Sequence, residues 1–332
     1  MPIPNDPLSR WWVDISSANP AIVDGLRPSL VAFLAFDHGH VPSLAGSGFV
    51  IAGGSDLAIV ISAKHVLTDG PGSVLNIQRP VPRQSPSALP MFVPASSKIP
   101  SLHSAKLRAV WMGSESADLL HTRHFSYNDT LDIACCIFAP QEEYATRFKP
   151  TAIPLDTARP SIGDVVHMVS LDGMTISDYF PSTNVTGSGE TFSIHRRVSI
   201  RVGTVTAVYP QEFLHYRWPC FTTSIPAEPG MSGGFVYLPR DGTAVAACGI
   251  VCADRSSIEA RTDYSLCGES VVACAWPALC LSVPKFAEAA SPMRTVYDMM
   301  KAGDMTPAAG GIDHIHVIDL GNGKGKIVYG DA

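Results

Sequence analysis

Short apolar runs, each closed by Gly, Pro, Ser or Asp, recur along the whole chain and confine it to strands joined by turns. The runs are Ser29–Phe36, Gly48–Ala52, Leu57–Ser62, Leu107–Met112, Asp132–Phe138, Val165–Leu171, Val198–Tyr209, Cys220–Ser224, Gly234–Leu238, Ala244–Val251 and Ser270–Ala275. Their length and β-branched enrichment suit strands better than helices. The 27 glycines and 27 prolines supply turns and leave little room for long helices. Gly53-Gly54-Ser55, between two runs, is a hairpin signal. About a dozen strands with few helices predicts an all-β chain built as barrels or a sandwich.

Two stretches depart from this texture. Pro71–Pro100 is rich in Pro and Ser and reads as a long surface loop. After Val283, Ser291-Pro292 has the form of an N-cap followed by a first-turn proline, and Gly303 is a C-terminal stop. This predicts a short helix from about Pro292 to Ala302. The tail then reads as strand, turn, strand over His314–Leu320, Gly321–Gly325 and Lys326–Tyr329. No internal repeat is present.

Composition excludes several function classes. The chain has 332 residues, 46% of them hydrophobic and only 16% charged, enough to bury a sizeable core. No run approaches the roughly 18 apolar residues of a membrane span. The net charge of -6 argues against a nucleic-acid binder that relies on phosphate contacts. Arg196-Arg197 is an isolated basic pair, read as solvated surface. Met1–Pro20 contains Asp6, Arg10 and Asp14 and has no apolar stretch of the kind a secretory signal needs. Taken as the native start, it implies a cytoplasmic protein, in which the eight cysteines stay reduced. Cys135 and Cys136 are adjacent and, in a strand, must point to opposite faces. Cys248, Cys252, Cys267, Cys274 and Cys280 lack zinc-site spacing, so buried free thiols and no metal are expected.

Three local patterns carry chemistry. Gly46-Ser47-Gly48-Phe49-Val50-Ile51, a turn, then Ile59 to Val66 places His65 at the close of the second strand of a hairpin. Asp132-Ile133-Ala134 opens an apolar strand, although an Asp there also suits a turn cap. Pro229-Gly230-Met231-Ser232-Gly233-Gly234 is the most specific of the three. Glycines on either side of a serine let the backbone fold tightly behind the hydroxyl. The amides of Gly230 and Ser232 can then converge on one point, where an oxyanion develops. A plain glycine-rich turn is the competing reading.

Together these residues resemble the trypsin-like (chymotrypsin-fold) serine peptidases, in particular bacterial and HtrA-like members. The likeness runs from about Ser29 to about Val283. It rests on Ser62-Ala63-Lys64-His65-Val66, Asp132-Ile133-Ala134 and Gly230-Met231-Ser232-Gly233-Gly234, in that order. The resemblance implies two antiparallel six-stranded β-barrels. Residues 29–150 would form the first, carrying His65 and Asp132, and residues 151–283 the second, carrying Ser232. Residues 1–28 would be an N-terminal extension, and 284–332 a C-terminal helix and hairpin tail with no PDZ module. It implies an endopeptidase without cofactor, acting on a protein or peptide, with Ser232 as nucleophile, His65 as general base and Asp132 orienting the histidine. Gly230 and Ser232 would supply the oxyanion hole.

Two departures from the family pattern stand out. Members that mature from zymogens carry an acid before the nucleophile, whereas this chain has Met231. Regulation by that ion pair is therefore not expected, and a partner protein or loop ordering would have to replace it. The family's specificity-pocket positions map to Pro226, Ala227, Val251, Cys252 and Ala253, none of them charged, with Glu228 on the rim. An uncharged pocket predicts a small or apolar residue before the cut, not Arg or Lys. Two other readings compete. Gly-x-Ser-x-Gly also describes the nucleophile elbow of α/β-hydrolases, which needs a helix directly after the serine. A catalytically latent binding module of the same fold would keep all three residues without activity.

Overall fold

The computed structural model describes residues 11–35, 42–68, 93–94, 107–113, 117–128, 130–142, 145–180, 191–211, 218–240, 244–254, 269–284, 292–321 and 324–330. In chain order, β1 (Trp12–Asp14) and α1 (Pro20–Leu26) precede β2 (Leu30–Ala35), β3 (Ser43–Gly53) and β4 (Ala58–Ser62). One short helix, α2 (Lys64–Thr68), follows, then β5 (Val93–Pro94), β6 (Leu107–Met112), β7 (Ala117–Tyr127) and β8 (Ala134–Pro140). The second half holds β9 (Val165–Phe180), β10 (Thr191–Tyr209), β11 (Cys220–Thr223), β12 (Phe235–Tyr237), β13 (Ala247–Asp254) and β14 (Ser270–Cys274). Last come β15 (Ser282–Pro284), β16 (Met293–Thr295), α3 (Val296–Lys301), β17 (Ile315–Gly321) and β18 (Lys324–Tyr329).

The first barrel closes in the order β2-β3-β4-β8-β7-β6, every pair antiparallel. Its interior is filled by alternate residues of all six strands, among them Val31, Phe33, Val60, Trp111, Phe125, Cys136 and Phe138. Phe33 and Phe138 meet inside it with ring centroids 5.7 Å apart. The residues between them, such as Leu30, Ala32, Leu34, Ile61, Val110 and Cys135, face outward and join the core shared with the second half. Burial on both faces explains why these strands read as continuous apolar runs and not as alternating ones. The adjacent Cys135 and Cys136 accordingly lie in different cores, as the pleat requires.

The second barrel also has six strands. Its order is β10-β11-β14-β13-β12-β9, and it closes because β9 pairs with both β12 and β10. Strand β10 changes neighbour along one edge. β11 takes Val205 to Tyr209, and β1 takes the residues just before, Arg201 to Gly203. The N-terminal strand therefore extends the edge of the barrel that β11 leaves open. The fold is a double six-stranded β-barrel. The helix that a nucleophile elbow needs after the serine is absent; β12 follows instead, which removes the α/β-hydrolase alternative.

The C-terminal helix starts later than Ser291-Pro292 suggested. Met293–Thr295 is a strand paired with Ser282–Pro284, and Thr295 is the true cap. Thr295 Oγ1 accepts from the Asp298 amide while the Asp298 carboxylate accepts from the Thr295 amide, a complete capping box. Gly303, at a φ of 77°, lies just past the helix end as expected. The tail hairpin forms near the expected bounds and gains a third strand, Val93–Pro94. The rest of the Pro71–Pro100 loop reading lies outside the described residues. Arg197 is not merely solvated: it pairs with Asp14 and lies 3.7 Å from Asp172. Among the described residues no helix is long and apolar enough to cross a membrane.

Two partly buried histidines make the fold acid-sensitive. His167 on β9 has Nδ1 2.8 Å from Tyr237 Oη, and burial lowers its pKa below the ordinary imidazole value. Burial does the same to His124 on β7, countered only in part by a backbone hydrogen bond at Ser282. Below about pH 6.5 the unfolded chain therefore binds more protons than the folded one, and stability is lost as the pH falls through that value. Melting temperatures measured from about pH 7.5 down to about pH 5.5 should fall, and fall less steeply in His167→Gln. An identical slope in that variant would remove His167 from the account.

Candidate active site

The candidate site is assembled by elements of both barrels. At the end of β4 the chain leaves the sheet and turns once as α2, so His65 stands on a helix and not on a strand. Asp132 likewise lies before its strand, which begins at Ala134. The pairing of Ser62 with Ala134 brings the two chain exits side by side, and the Lys64 amide donates to the Asp132 carbonyl oxygen at 3.2 Å. Upstream, the Asn128 side chain accepts from the amide and hydroxyl of Thr130, a local turn that delivers Asp132 to this place.

Helical placement gives the Asp132 carboxylate two partners on one residue. Its Oδ1 accepts from the His65 amide at 3.0 Å, and its Oδ2 lies 2.8 Å from His65 Nδ1. A carboxylate can only accept, so the proton of a neutral His65 is on Nδ1 and its Nε2 is the acceptor nitrogen of the ring. The Asp132 side chain is 11% exposed and that of His65 33%, so the ring is held from behind and open in front.

The glycine-rich motif around Ser232 is two turns in succession. The Met231 amide donates to the Glu228 carbonyl oxygen at 3.0 Å, and the Gly234 amide to Met231 at 2.9 Å. Pro229 fixes the first central position and Gly230, at a φ of 94°, takes the second, which makes the first turn type II. The Gly233 amide bonds Val251 and the Ser47 amide bonds the Ser232 carbonyl oxygen, at 2.8 and 2.7 Å. Among the described residues the amides of Gly230 and Ser232 alone in this segment, from Gly230 to Gly234, donate to no protein acceptor. The Ser232 hydroxyl donates to the Cys252 carbonyl oxygen at 3.1 Å.

Ser47 on β3 stands in the histidine pattern, and the structure makes it part of the site. Its hydroxyl donates to the Gly230 carbonyl oxygen at 2.7 Å and accepts from the Leu171 amide at 3.0 Å, while Ser62 Oγ donates to its carbonyl oxygen at 2.7 Å. A first-barrel serine thus grips the Gly230–Ser232 turn of the second barrel. Its neighbour must be small: a side chain at Gly46 would collide with Val66 and come within 2.8 Å of the Ser232 carbonyl oxygen. Gly-Ser-Gly inside a strand, where side chains would normally pack, was the available signal.

The structure brings His65 and Asp132 into direct contact. Ser232 joins them through Cys252, whose carbonyl holds the hydroxyl and whose thiol lies 3.9 Å from the Asp132 carbonyl oxygen. Of the pocket candidates, Val251 and Cys252 are buried on β13 and Ala227 is half-buried. Burial pushes the Cys252 thiol pKa well up, so the thiol stays neutral. The Pro226 carbonyl oxygen accepts from Arg201 at 3.2 Å. Ala253 lies on β13 opposite Val271. Glu228 is half-exposed but is drawn to Arg201 at 2.9 Å. Among the described residues no group of three or more His, Cys, Asp or Glu is arranged to hold a metal ion.

No protein-family model and no curated protein matches the chain. Two solved structures of the Rv3671c protease are similar to it. One, in an inactive form, is 14% identical and covers 79% of this chain and 91% of its own, with a TM-score of 0.40. The other, the inactive form of a serine-to-alanine mutant from M. tuberculosis H37Rv, is 13% identical and covers 79% and 88%, also with a TM-score of 0.40. A likeness at that level carries no argument. The double-barrel fold rests on the strand pairings themselves.

Gly233 tests the seating of the turn. Its φ is 86°, and an added Cβ would fall well inside contact with the Ser47 carbonyl oxygen and Ser62 Oγ. Gly233→Ala should lower stability by about 3 kcal/mol or more. Gly303→Ala, at a similar φ of 77° but with nothing within 4 Å, should cost only about 1 kcal/mol. Urea denaturation of both variants checks the difference, and equal losses would mean that the turn is not seated against Ser47.

Proposed function

We propose that this protein is a serine endopeptidase, hydrolysing peptide bonds of a protein or peptide through an acyl-enzyme. One observation carries the reading. A histidine held in its Nδ1–H form by a buried carboxylate lies in one barrel; in the other, linked to it through Cys252, lies a serine in a turn whose Gly230 and Ser232 amides, among the described residues, donate to no protein acceptor. In this scheme Ser232 Oγ attacks the scissile carbonyl and His65 Nε2 takes its proton. The amides of Gly230 and Ser232 bind the oxyanion, and Asp132 stabilises the imidazolium. His65 then protonates the leaving amine, and water, deprotonated by the same nitrogen, releases the acyl group. The uncharged side chains of Pro226, Ala227, Val251, Cys252 and Ala253 suit a small or apolar residue before the cut. The seven described cysteines are all free and buried, which suits a reducing compartment such as the cytoplasm.

The bond from Ser232 Oγ to the Cys252 carbonyl favours a second reading, a latent resting state. The hydroxyl must rotate off that carbonyl to reach His65 Nε2, and a substrate or a regulatory protein would drive the rotation.

Labelling with a fluorophosphonate separates the two. The wild-type protein should label, Ser232→Ala should not, and His65→Ala should label at least about 10³-fold more slowly. Failure of the wild type to label would favour the latent state or remove the peptidase reading. On a peptide library, cleavage mainly after Arg or Lys would falsify the uncharged-pocket assignment.

A further inference from the structure

A buried arginine that no part of the proposed chemistry uses lies against the nucleophile turn. Arg201, on β10, has a side chain only 4% exposed. Its Nη2 lies 2.8 Å from Asp172 Oδ2 and 2.9 Å from Glu228 Oε2, and its Nη1 donates to the Pro226 carbonyl oxygen at 3.2 Å. Burial works against the charge, but the Glu228 and Asp172 carboxylates more than offset it and hold the pKa above the ordinary arginine value. A guanidinium so enclosed is tolerable only because two carboxylates and a carbonyl engage its Nη atoms; its buried Nε has no partner among the described residues.

Those partners are not scattered. Pro226 and Glu228 form the approach to Ser232, and the Glu228 carbonyl closes the type II turn that leaves the Gly230 amide unengaged. Asp172 follows Leu171, whose amide is held by Ser47. Asp172 is also 3.7 Å from Arg197, which pairs with Asp14 on β1. Charges of alternating sign thus run from Asp14 through Arg197, Asp172 and Arg201 to Glu228, linking the N-terminal strand to the nucleophile turn. Trp12 of β1 lies with its ring centroid 5.3 Å from the Arg201 guanidinium carbon, and Ser224 Oγ donates to the Trp11 carbonyl oxygen.

We propose that Arg201 is a positioning residue for the nucleophile turn, that it holds the Gly230 amide toward the oxyanion through Pro226 and Glu228, and that docking of the N-terminal strand completes this clamp. The proposal rests on the reading of Ser232 as nucleophile. A planar fork with several donors can grip two carboxylates and a carbonyl at once, which a lysine cannot. Met231, inside the turn, is buried and uncharged, and the turn takes its charged anchor from the side, through Glu228.

The test uses the full chain and three variants, Arg201→Met, Arg201→Lys and Glu228→Gln; the last changes a half-exposed side chain and spares the buried guanidinium. Hydrogen exchange of the peptides spanning residues 226–234 is measured beside fluorophosphonate labelling. Arg201→Met and Glu228→Gln should raise exchange in that segment about tenfold and slow labelling by about 10- to 100-fold, with Arg201→Lys in between. Trp12→Ala should act in the same direction. Unchanged exchange in both Arg201→Met and Glu228→Gln overturns the proposal, whatever the labelling rate. So does exchange that rises uniformly over both barrels, the mark of a purely stabilising residue. If the wild-type protein does not label, the site is latent or the nucleophile reading fails, and in either case exchange in residues 226–234 still decides the role of Arg201.

Discussion

The grip of Ser47 on the Gly230–Ser232 turn is the contact on which the rest of the candidate site depends. Each barrel closes on its own hydrogen bonds, and nothing in either ring dictates how the two meet. The amide, carbonyl and hydroxyl of Ser47 are all engaged, with Ser232, Ser62, Gly230 and Leu171. These groups are buried, so a lost partner would leave a desolvated polar atom behind. That cost makes the register of the two barrels discrete. The apolar interface alone would allow sliding, because hydrophobic contact has no direction.

Electrostatics then refines what packing brings together. Asp132 is nearly buried, and both of its oxygens are spent on His65, one on the backbone and one on the ring. The histidine therefore has neither positional nor tautomeric freedom on the Nδ1 side. The short α2 helix makes this possible, since a strand continuing from β4 would carry residue 65 along the sheet and could not present its amide and ring to one carboxylate. On the far side of Ser232 the alternating charges from Asp14 to Glu228 play a similar part with a buried guanidinium.

The strands were legible to different degrees, for a physical reason. Strands such as β2, β4, β6 and β8, buried on both faces, showed as continuous apolar runs with nearly correct ends. Strand β7 was missed: Asp118, His121, Arg123 and His124 interrupt its pattern, and Asp118 is buried only because Arg147 reaches over to it. Strand β1 was missed because three residues carry no periodicity; it exists only as an addition to β10. The late start of α3 has the same origin. Ser291-Pro292 is a good cap locally, but pairing of Met293–Thr295 with β15 takes precedence and passes the cap to Thr295.

The sequence by itself determined the strand-rich class, the turns and the three motifs, because these depend on residue types close together in the chain: short apolar runs, β-branching, and glycine where φ is positive. Tertiary structure alone decided that Ser47 and Ser62 belong to the candidate site, that Arg201 lies against the turn leading to Ser232, and that Ser232 rests on the Cys252 carbonyl. Each of these joins residues far apart in the chain through one hydrogen bond or ion pair. Serine and arginine carry no mark in sequence of which distant partner they will find; only the closure of two barrels against each other brings that partner within 3 Å or so.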